Sequence, residues 1–456
     1  MTLLMAFLET VRAWGEVFPQ RRSFERALRQ ALGGLVCLGR RTISRIIWTN
    51  GRQRLGWAPE YFLHSRCQWN PQELFAPILR RALPWCSGHY LGVAVDDTRL
   101  HKTGRRIQQA FFQRDPLSPP FHVNLMLGLR FLQASLLVPL AKRSTRALPI
   151  RFQEASRVKR PGRNASAEEW KQYRIAARQH NLSQQFVAMV HELRHTLDLS
   201  AAALKTLLLA VDGSFCNRTV FALVLKGVEI IARARKDAVL CFRASAGSRR
   251  FYDRNKFTPE QVRKDDSIPW KETKLFYGGK RQRVRYKLLS DLYWQGGARK
   301  RTLRLLVVAP TPYRKRKSAR LYYRQPAYLL TTDLRGPAPT LLQFYFDRWQ
   351  IEVNHREEKD TLGVGQAQLW NYTSVPKQPV LAVASYSALL LASLLAFGAE
   401  RGAAYAELPR WRRDARRPSC LDLITLLRKE MTEHPELLVP YGLNPSYERF
   451  TSAAAA

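Results

Sequence analysis

Three acidic residues, Asp96, Asp212 and Glu352, stand where carboxylates could do chemistry. Asp96 follows the apolar run Leu91 to Val95, and Asp212 follows Leu207 to Val211. Each run has the length of a strand, and an acid at the end of a buried strand is costly without a cation or hydrogen bonds to compensate it. Glu352 lies within Leu341 to Leu362, which reads as one long helix. Two strand-end acids and one helix acid can converge on divalent cations. Oxygen-only donors favour Mg2+, with Mn2+ as a substitute. Two such ions can activate a water and stabilise the departing oxygen of a phosphodiester. Singly, each acid also suits a cap or a turn, and Asp212-Gly213-Ser214 is ordinary turn chemistry.

The glutamate helix narrows the choice. Tyr345, Arg348, Glu352 and Lys359 fall at offsets of zero, three, seven and fourteen. At about 100° per residue they share an arc of roughly 60°. A phenol, a guanidinium, a carboxylate and an ammonium then form one stripe, beside an apolar stripe of Leu342, Phe346, Trp349 and Val353 that can pack on a sheet. Arg348 and Lys359 would bind phosphates on either side of a metal-held bond, and Tyr345 would hydrogen-bond the strand or stack on a base. An intrahelical Arg348–Glu352 pair explains two of the four residues and leaves Tyr345 and Lys359 unexplained.

A competing motif is His191-Glu192-Leu193-Arg194-His195, which fits H-E-x-x-H on a helix. Two histidines at that spacing could bind zinc with Glu192 as general base. No third ligand follows at the short spacing, and Arg194 would set a cation beside the metal.

The chain has 456 residues, enough for two to four domains, with 46% hydrophobic residues to build cores. Its 75 Lys and Arg against 36 Asp and Glu give a net charge of +39. That balance points to a polyanion, with nucleic acid first and an anionic membrane surface second. Six scattered cysteines without a C-x-x-C pair suit a reducing, cytoplasmic setting. Val380 to Phe397 carries no charge and reads as a buried core helix rather than a membrane span.

The elements that must position these residues follow from texture. Residues 1–90 read as helical, and Phe24 to Val36 with Thr42 to Thr49 could form a helix-turn-helix that touches DNA. Residues 91–235 carry strands at Leu91 to Val95, Phe121 to Leu129, Phe131 to Val138 and Leu207 to Val211, with loop and short helix over 142–175 and a helix at Ser183 to His195. Residues 236–335 read as a β-rich insertion, with a hairpin about Gly296-Gly297. The glutamate helix and the apolar helix fill 336–402, and 403–456 is basic and then helical, as at Leu421 to Met431. The basic runs Lys280–Arg283, Arg314–Lys317 and Arg410–Arg413 suit a DNA backbone.

Tyr345-x2-Arg348-x3-Glu352-x6-Lys359 resembles the Y-R-E-K signature of bacterial insertion-sequence DDE transposases. Asp96-Asp97-Thr98 with Lys102-Thr103-Gly104 is similar to the family's first-acid motif, and Asp212-Gly213-Ser214-Phe215 to its second. The D-x-T pattern favours Asp96 over Asp97 as the first acid. The resemblance covers roughly residues 90–400. It implies an α/β fold with an RNase H-like catalytic core interrupted by a β-rich insertion. It further implies a cut-and-paste enzyme acting on terminal inverted repeats, with Asp96, Asp212 and Glu352 holding two Mg2+ ions and Tyr345, Arg348 and Lys359 on the DNA. The partners implied are double-stranded DNA and a second copy in a synaptic dimer, in a bacterial cytoplasm near the nucleoid. The alternatives are a transposase-derived DNA-binding protein without catalysis and a zinc metallopeptidase acting through His191-Glu192-x-x-His195.

Overall fold

A computed structural model describes residues 1–116, 118–119, 121–141, 144–314, 318–399 and 418–443. The N-terminal region forms α1 (Leu3–Arg12), α2 (Arg21–Val36), α3 (Ile43–Thr49), α4 (Ala58–Ser65) and α5 (Phe75–Ala82). Thr2 and Thr42 cap α1 and α3, each accepting a backbone N–H three residues on. The expected α2–turn–α3 unit is present as two helices of very unequal length.

The chain then enters a large mixed sheet through β1 (Tyr90–His101), β2 (Phe111–Arg114), β3 (Leu125–Pro139) and β4 (Thr145–Glu154). Helices α6 (Ala167–Gln179) and α7 (Leu182–Asp198) lead to β5 (Thr206–Val211), and α8 (Arg218–Phe221) to β6 (Val228–Arg233). In space these strands run β4-β3-β1-β5-β6. The β4–β3–β1 pairs are antiparallel, whereas β1–β5 and β5–β6 are parallel. Parallel strands covered on both faces are apolar throughout, which is why Leu207 to Val211 is a continuous run.

The segment read as an insertion contributes β7 (Leu240–Arg243), β8 (Tyr252–Phe257), α9 (Pro259–Lys264), β9 (Lys271–Tyr277), β10 (Lys280–Tyr293), α10 (Gln295–Ala298), β11 (Thr302–Val308) and β14 (Ala327–Thr331). Between the last two lies a two-stranded ladder, β12 (Pro312–Tyr313) with β13 (Tyr322–Tyr323). The insertion is β-rich as expected, but it is not a detached unit. β14 pairs with β6, and the sheet continues β14-β11-β10-β7-β8 from there.

Four further details depart from the sequence reading. β1 runs on past Asp96, so the acid sits inside the strand. Residues 125–139 form one strand where two were expected. The stretch read as loop and short helix over 142–175 holds the unexpected strand β4 as well as most of the helix α6. Gly296-Gly297 lies in the one-turn helix α10, although the flanking strands do pair antiparallel.

Helices α11 (Ala338–Asp347) and α12 (Trp349–Arg356) cross one face of the sheet, α11 over β5, β6 and β9 and α12 over β1 and β4. Gly92 permits this approach: a Cβ there would stand 2.3 Å from the Phe344 ring. On the other side α13 (Ser374–Phe397) packs against β4, α1, α2 and α5. Among the described residues α13 is the one helix long and apolar enough to cross a membrane, and it is buried as a core element. α14 (Cys420–Glu433) closes against α1 and α2. The expected basic run Arg410–Arg413, Lys315 to Lys317 and the terminal alanines lie outside the described residues.

Candidate active site

The parallel β1–β5 pairing ends at Val95 opposite Val211, so Asp96 and Asp212 are the next residues on adjacent strands. Strand alternation turns the Asp-Asp doublet to opposite faces. Asp97 accepts a hydrogen bond from Arg130 Nε at 2.7 Å. Asp96 faces the helices, with its Oδ2 4.0 Å from Arg348. The geometry therefore picks out Asp96 as the doublet's member in the helix-facing cluster. Asp212 accepts from the Ser214 N–H and hydroxyl at 2.9 and 2.6 Å, so the expected turn chemistry is there as well.

The glutamate helix is not one regular helix. It tightens at Arg348, where the Ile351 N–H bonds the Arg348 carbonyl, and it widens into a π-turn over Glu357–Thr361, where the Leu362 N–H reaches the Glu357 carbonyl. The neighbouring apolar stripe is also only partly realised. Leu342 is buried, but Trp349 is 57% exposed, and Leu341 and Ile351 take up the buried positions instead. A π-turn is uncommon and recurs at functional sites. Here it sends consecutive side chains in three directions. Glu357 bonds the Tyr386 hydroxyl at 2.5 Å and pairs with Arg146. Glu358 accepts from Gln133 at 3.0 Å. Lys359 lies within electrostatic reach of Asp96. The first two anchor the turn to α13 and to β3 and β4.

Arg348 is the electrostatic centre. It bonds Glu352 at 3.1 Å, approaches Asp96, and stands 5.9 Å from the Tyr345 ring. Burial works against its charge, yet Tyr345, Glu352, Asp96 and Asp212 together hold its pKa above the ordinary range. Burial pushes Asp96 up to about 6; His355 and Arg348 pull it down, whereas Asp212 and Asp97 push it further up. Burial raises Tyr345 against the pull of Arg348 and Arg233. Burial lowers Lys359, with Glu358, Asp360 and Asp96 opposing. The six residues singled out by sequence thus belong to one electrostatic cluster.

One residue missing from that set, His355, joins it through Asp96, and a second, Lys102, braces the loop that follows. His355 Nδ1 is 3.4 Å from Glu358, and its buried Nε2 has no hydrogen-bond partner among the described residues. Its position one turn after Glu352 was the signal available in sequence. Lys102, quoted only as part of a motif, buries its amine against the Gly365 and Ala367 carbonyls at 2.7 and 2.8 Å, and burial lowers it to about 8. It ties the end of β1 to the loop after the π-turn. Gly365 has φ +94° and sits against Leu100, where a larger residue would be strained.

Oxygen donors of the right kind are present for a divalent cation. Asp212 repels the desolvated Asp96, which a cation would relieve. Glu352 is engaged by Arg348, so the three acids do not close on one point. Among the described residues no group of three or more His, Cys, Asp or Glu side chains is gathered tightly enough to hold a metal ion. His191 and His195 are both exposed on α7. Glu192 pairs with Arg151 at 3.2 Å, and Arg194 is buried against backbone carbonyls. That segment ties α7 to β4 and to the loop that precedes β5. No protein-family model matches the chain, and no curated protein matches it.

Proposed function

We propose that the chain is a DNA transposase that binds terminal inverted repeats and carries out metal-dependent strand cleavage and strand transfer. The observation that carries this reading is the meeting of Asp96 and Asp212, from adjacent parallel strands, with the Tyr345–Arg348–Glu352–Lys359 helix over them. The order β4-β3-β1-β5-β6, with two antiparallel pairs followed by two parallel ones, supports an RNase H-like core. The net charge of +39 supports a DNA partner.

In this reading Asp96, Asp212 and Glu352 would hold two Mg2+ ions, which when bound supply an activated oxygen nucleophile and stabilise the leaving oxygen. Arg348 carries the countercharge for Asp96 and Glu352. Lys359 and Arg348 would then grip the phosphates flanking the scissile bond, and Tyr345, fixed against Arg348, would orient the strand. Lys102 holds the loop that follows the glutamate helix in register with β1. Synapsis of two ends by two copies, in the cytoplasm of a bacterium, completes the reading.

The test is cleavage of a supercoiled plasmid carrying the repeats that flank the gene, in Mg2+ or Mn2+, by wild type and Glu352→Gln. Cleavage at the repeat ends by wild type alone, with both proteins binding, supports the assignment. A specific observation also favours a second reading, a transposase-derived DNA-binding protein: Arg348 occupies Glu352 and approaches Asp96. Binding without cleavage by either protein selects it.

A further inference from the structure

At the outer end of the sheet, six strands from β5, cations gather around two rings. Arg243 lies 5.4 Å and Lys300 5.1 Å from the Phe251 ring, and Lys256 lies 5.6 Å from the Tyr252 ring. The rings meet edge to face at 5.0 Å, and both rest on Tyr293. Arg249 and Arg250 are exposed in the β7–β8 turn, and Arg254 is exposed on β8. None of these six cations forms an ion pair with an acid among the described residues. The neighbouring acid, Asp253, accepts its own local backbone N–H from Asn255.

Charge on an outermost strand can simply deter edge-to-edge pairing. That accounts for Arg254 and Lys256 on β8. It does not account for Arg243 and Lys300, which come from β7 and from the β10–β11 connection and reach the same ring. Holding like charges together has an electrostatic cost, and the aromatic platform fixes the long side chains that carry them. Clustered, pre-positioned arginine and lysine held on half-buried rings match a row of phosphates.

We propose that this surface is a second contact for the backbone of duplex DNA, separate from the acid cluster. The proposal rests on the DNA reading above and extends it. The registers set the separation. Tyr286 and Val308 lie at the end of the sheet where β5 delivers Asp212, and Tyr293 and Thr302, beside Lys300, lie at the opposite end. At ~4.8 Å per strand the lateral offset from β5 to β8 is about 29 Å. A duplex seated on Asp96 and Asp212 therefore leaves this surface to a different stretch of backbone or to a second duplex.

The experiment measures binding of a 40-base-pair duplex by fluorescence anisotropy across a salt series. It compares the full chain with the triple variant Arg249→Ala, Arg250→Ala, Lys300→Ala. These side chains are exposed, so folding is expected to survive, and a version with Lys in place of both arginines checks that charge is what matters. The expected result is a loss of about tenfold or more in affinity near physiological salt and a fall of about 2–3 in the log–log salt slope. The double-lysine version should retain the wild-type slope. An unchanged slope and affinity in the triple variant, with wild type still binding in a salt-dependent way, overturns this surface and leaves the DNA reading standing. Absence of salt-dependent duplex binding by wild type itself overturns both. If the triple variant keeps duplex binding but loses binding to phosphatidylglycerol–phosphatidylcholine vesicles, the surface serves a membrane and the proposal fails.

Discussion

The two halves of the sheet treat charge in opposite ways. In the half built from β1, β3, β4, β5 and β6, acids are buried or half-buried and are met by cations or hydrogen-bond donors. Asp96 faces Arg348, Glu357 faces Arg146, and Glu358 faces Gln133 and His355. In the half built from β7 to β14 the buried cations Lys287 and Arg304 are held by backbone carbonyls, Lys287 by three at the end of α9 and Arg304 by that of Gly336, and further cations gather outside. Buried acids cost stability, and exposed cations cost little. The first arrangement persists only where the charges are used or fully paired. The second can accumulate wherever a polyanion must be attracted.

The largest expected effect tests that contrast directly. Glu352→Gln keeps the shape of the helix and removes one charge. Strand cleavage should fall by about two to three orders of magnitude, on the scale of losing one group that stabilises developing charge, while duplex affinity stays within about twofold. Gel analysis of nicked plasmid beside anisotropy reads both. Comparable loss of binding would mean that Glu352 supports the fold instead.

Next comes the buried pair that anchors the π-turn. Arg146→Ala leaves Glu357 unpaired beneath Tyr386 and should cost about 3–5 kcal/mol in urea unfolding. Tyr386→Phe removes the hydroxyl shared by Arg146, Glu357 and Asn354 and should cost about 1–3 kcal/mol. A cost near zero for both would show that the turn is held by its backbone alone.

Asp96 gives a pH-dependent test. Its folded pKa of about 6 lies above its ordinary value of 3.8, so the folded chain binds the proton more tightly than the unfolded one. Stability from this group is greatest below about pH 4, declines as pH rises to about 6, and stays reduced above. In the absence of divalent metal, Asp96→Asn should therefore be more stable than wild type at pH 7 by about 3 kcal/mol at most, and equal to it near pH 4. Added Mg2+ should raise the wild-type unfolding midpoint and leave that of Asp96→Asn unchanged. A variant less stable than wild type at pH 7 contradicts the burial argument.

The smallest effect is expected at the H-E-x-x-H segment. His191→Ala and His195→Ala remove exposed side chains and should change stability by less than about 0.5 kcal/mol without altering DNA cleavage. Stoichiometric zinc lost on either substitution would revive the peptidase reading.

Much of this arrangement was legible in the residues. The apolar runs before Asp96 and Asp212 marked two buried strands, and the offsets of Tyr345, Arg348, Glu352 and Lys359 marked a shared face. Both signals are local, because strand and helix periodicity depend on near neighbours. β4 was missed because Thr145–Glu154 carries Arg146, Pro149 and Arg151, which interrupt the apolar pattern of a strand, although its partner β3 is its immediate predecessor in the chain. The Arg146–Glu357–Tyr386 contact joins residues hundreds of positions apart in its outer members, and no local pattern announces it.

The sequence by itself determined which chemical groups are available, their periodicity along strands and helices, and the excess of positive charge. It also contained both members of the Asp96–Asp97 doublet without separating their roles beyond a motif. Tertiary structure decided that separation, by pairing β1 with β3 and β5 so that one acid meets Arg348 and the other Arg130. It also decided that the insertion extends the core sheet and that cations from β7 and the β10–β11 connection share one ring. These are consequences of long-range strand register, in which a one-residue change turns every side chain to the opposite face.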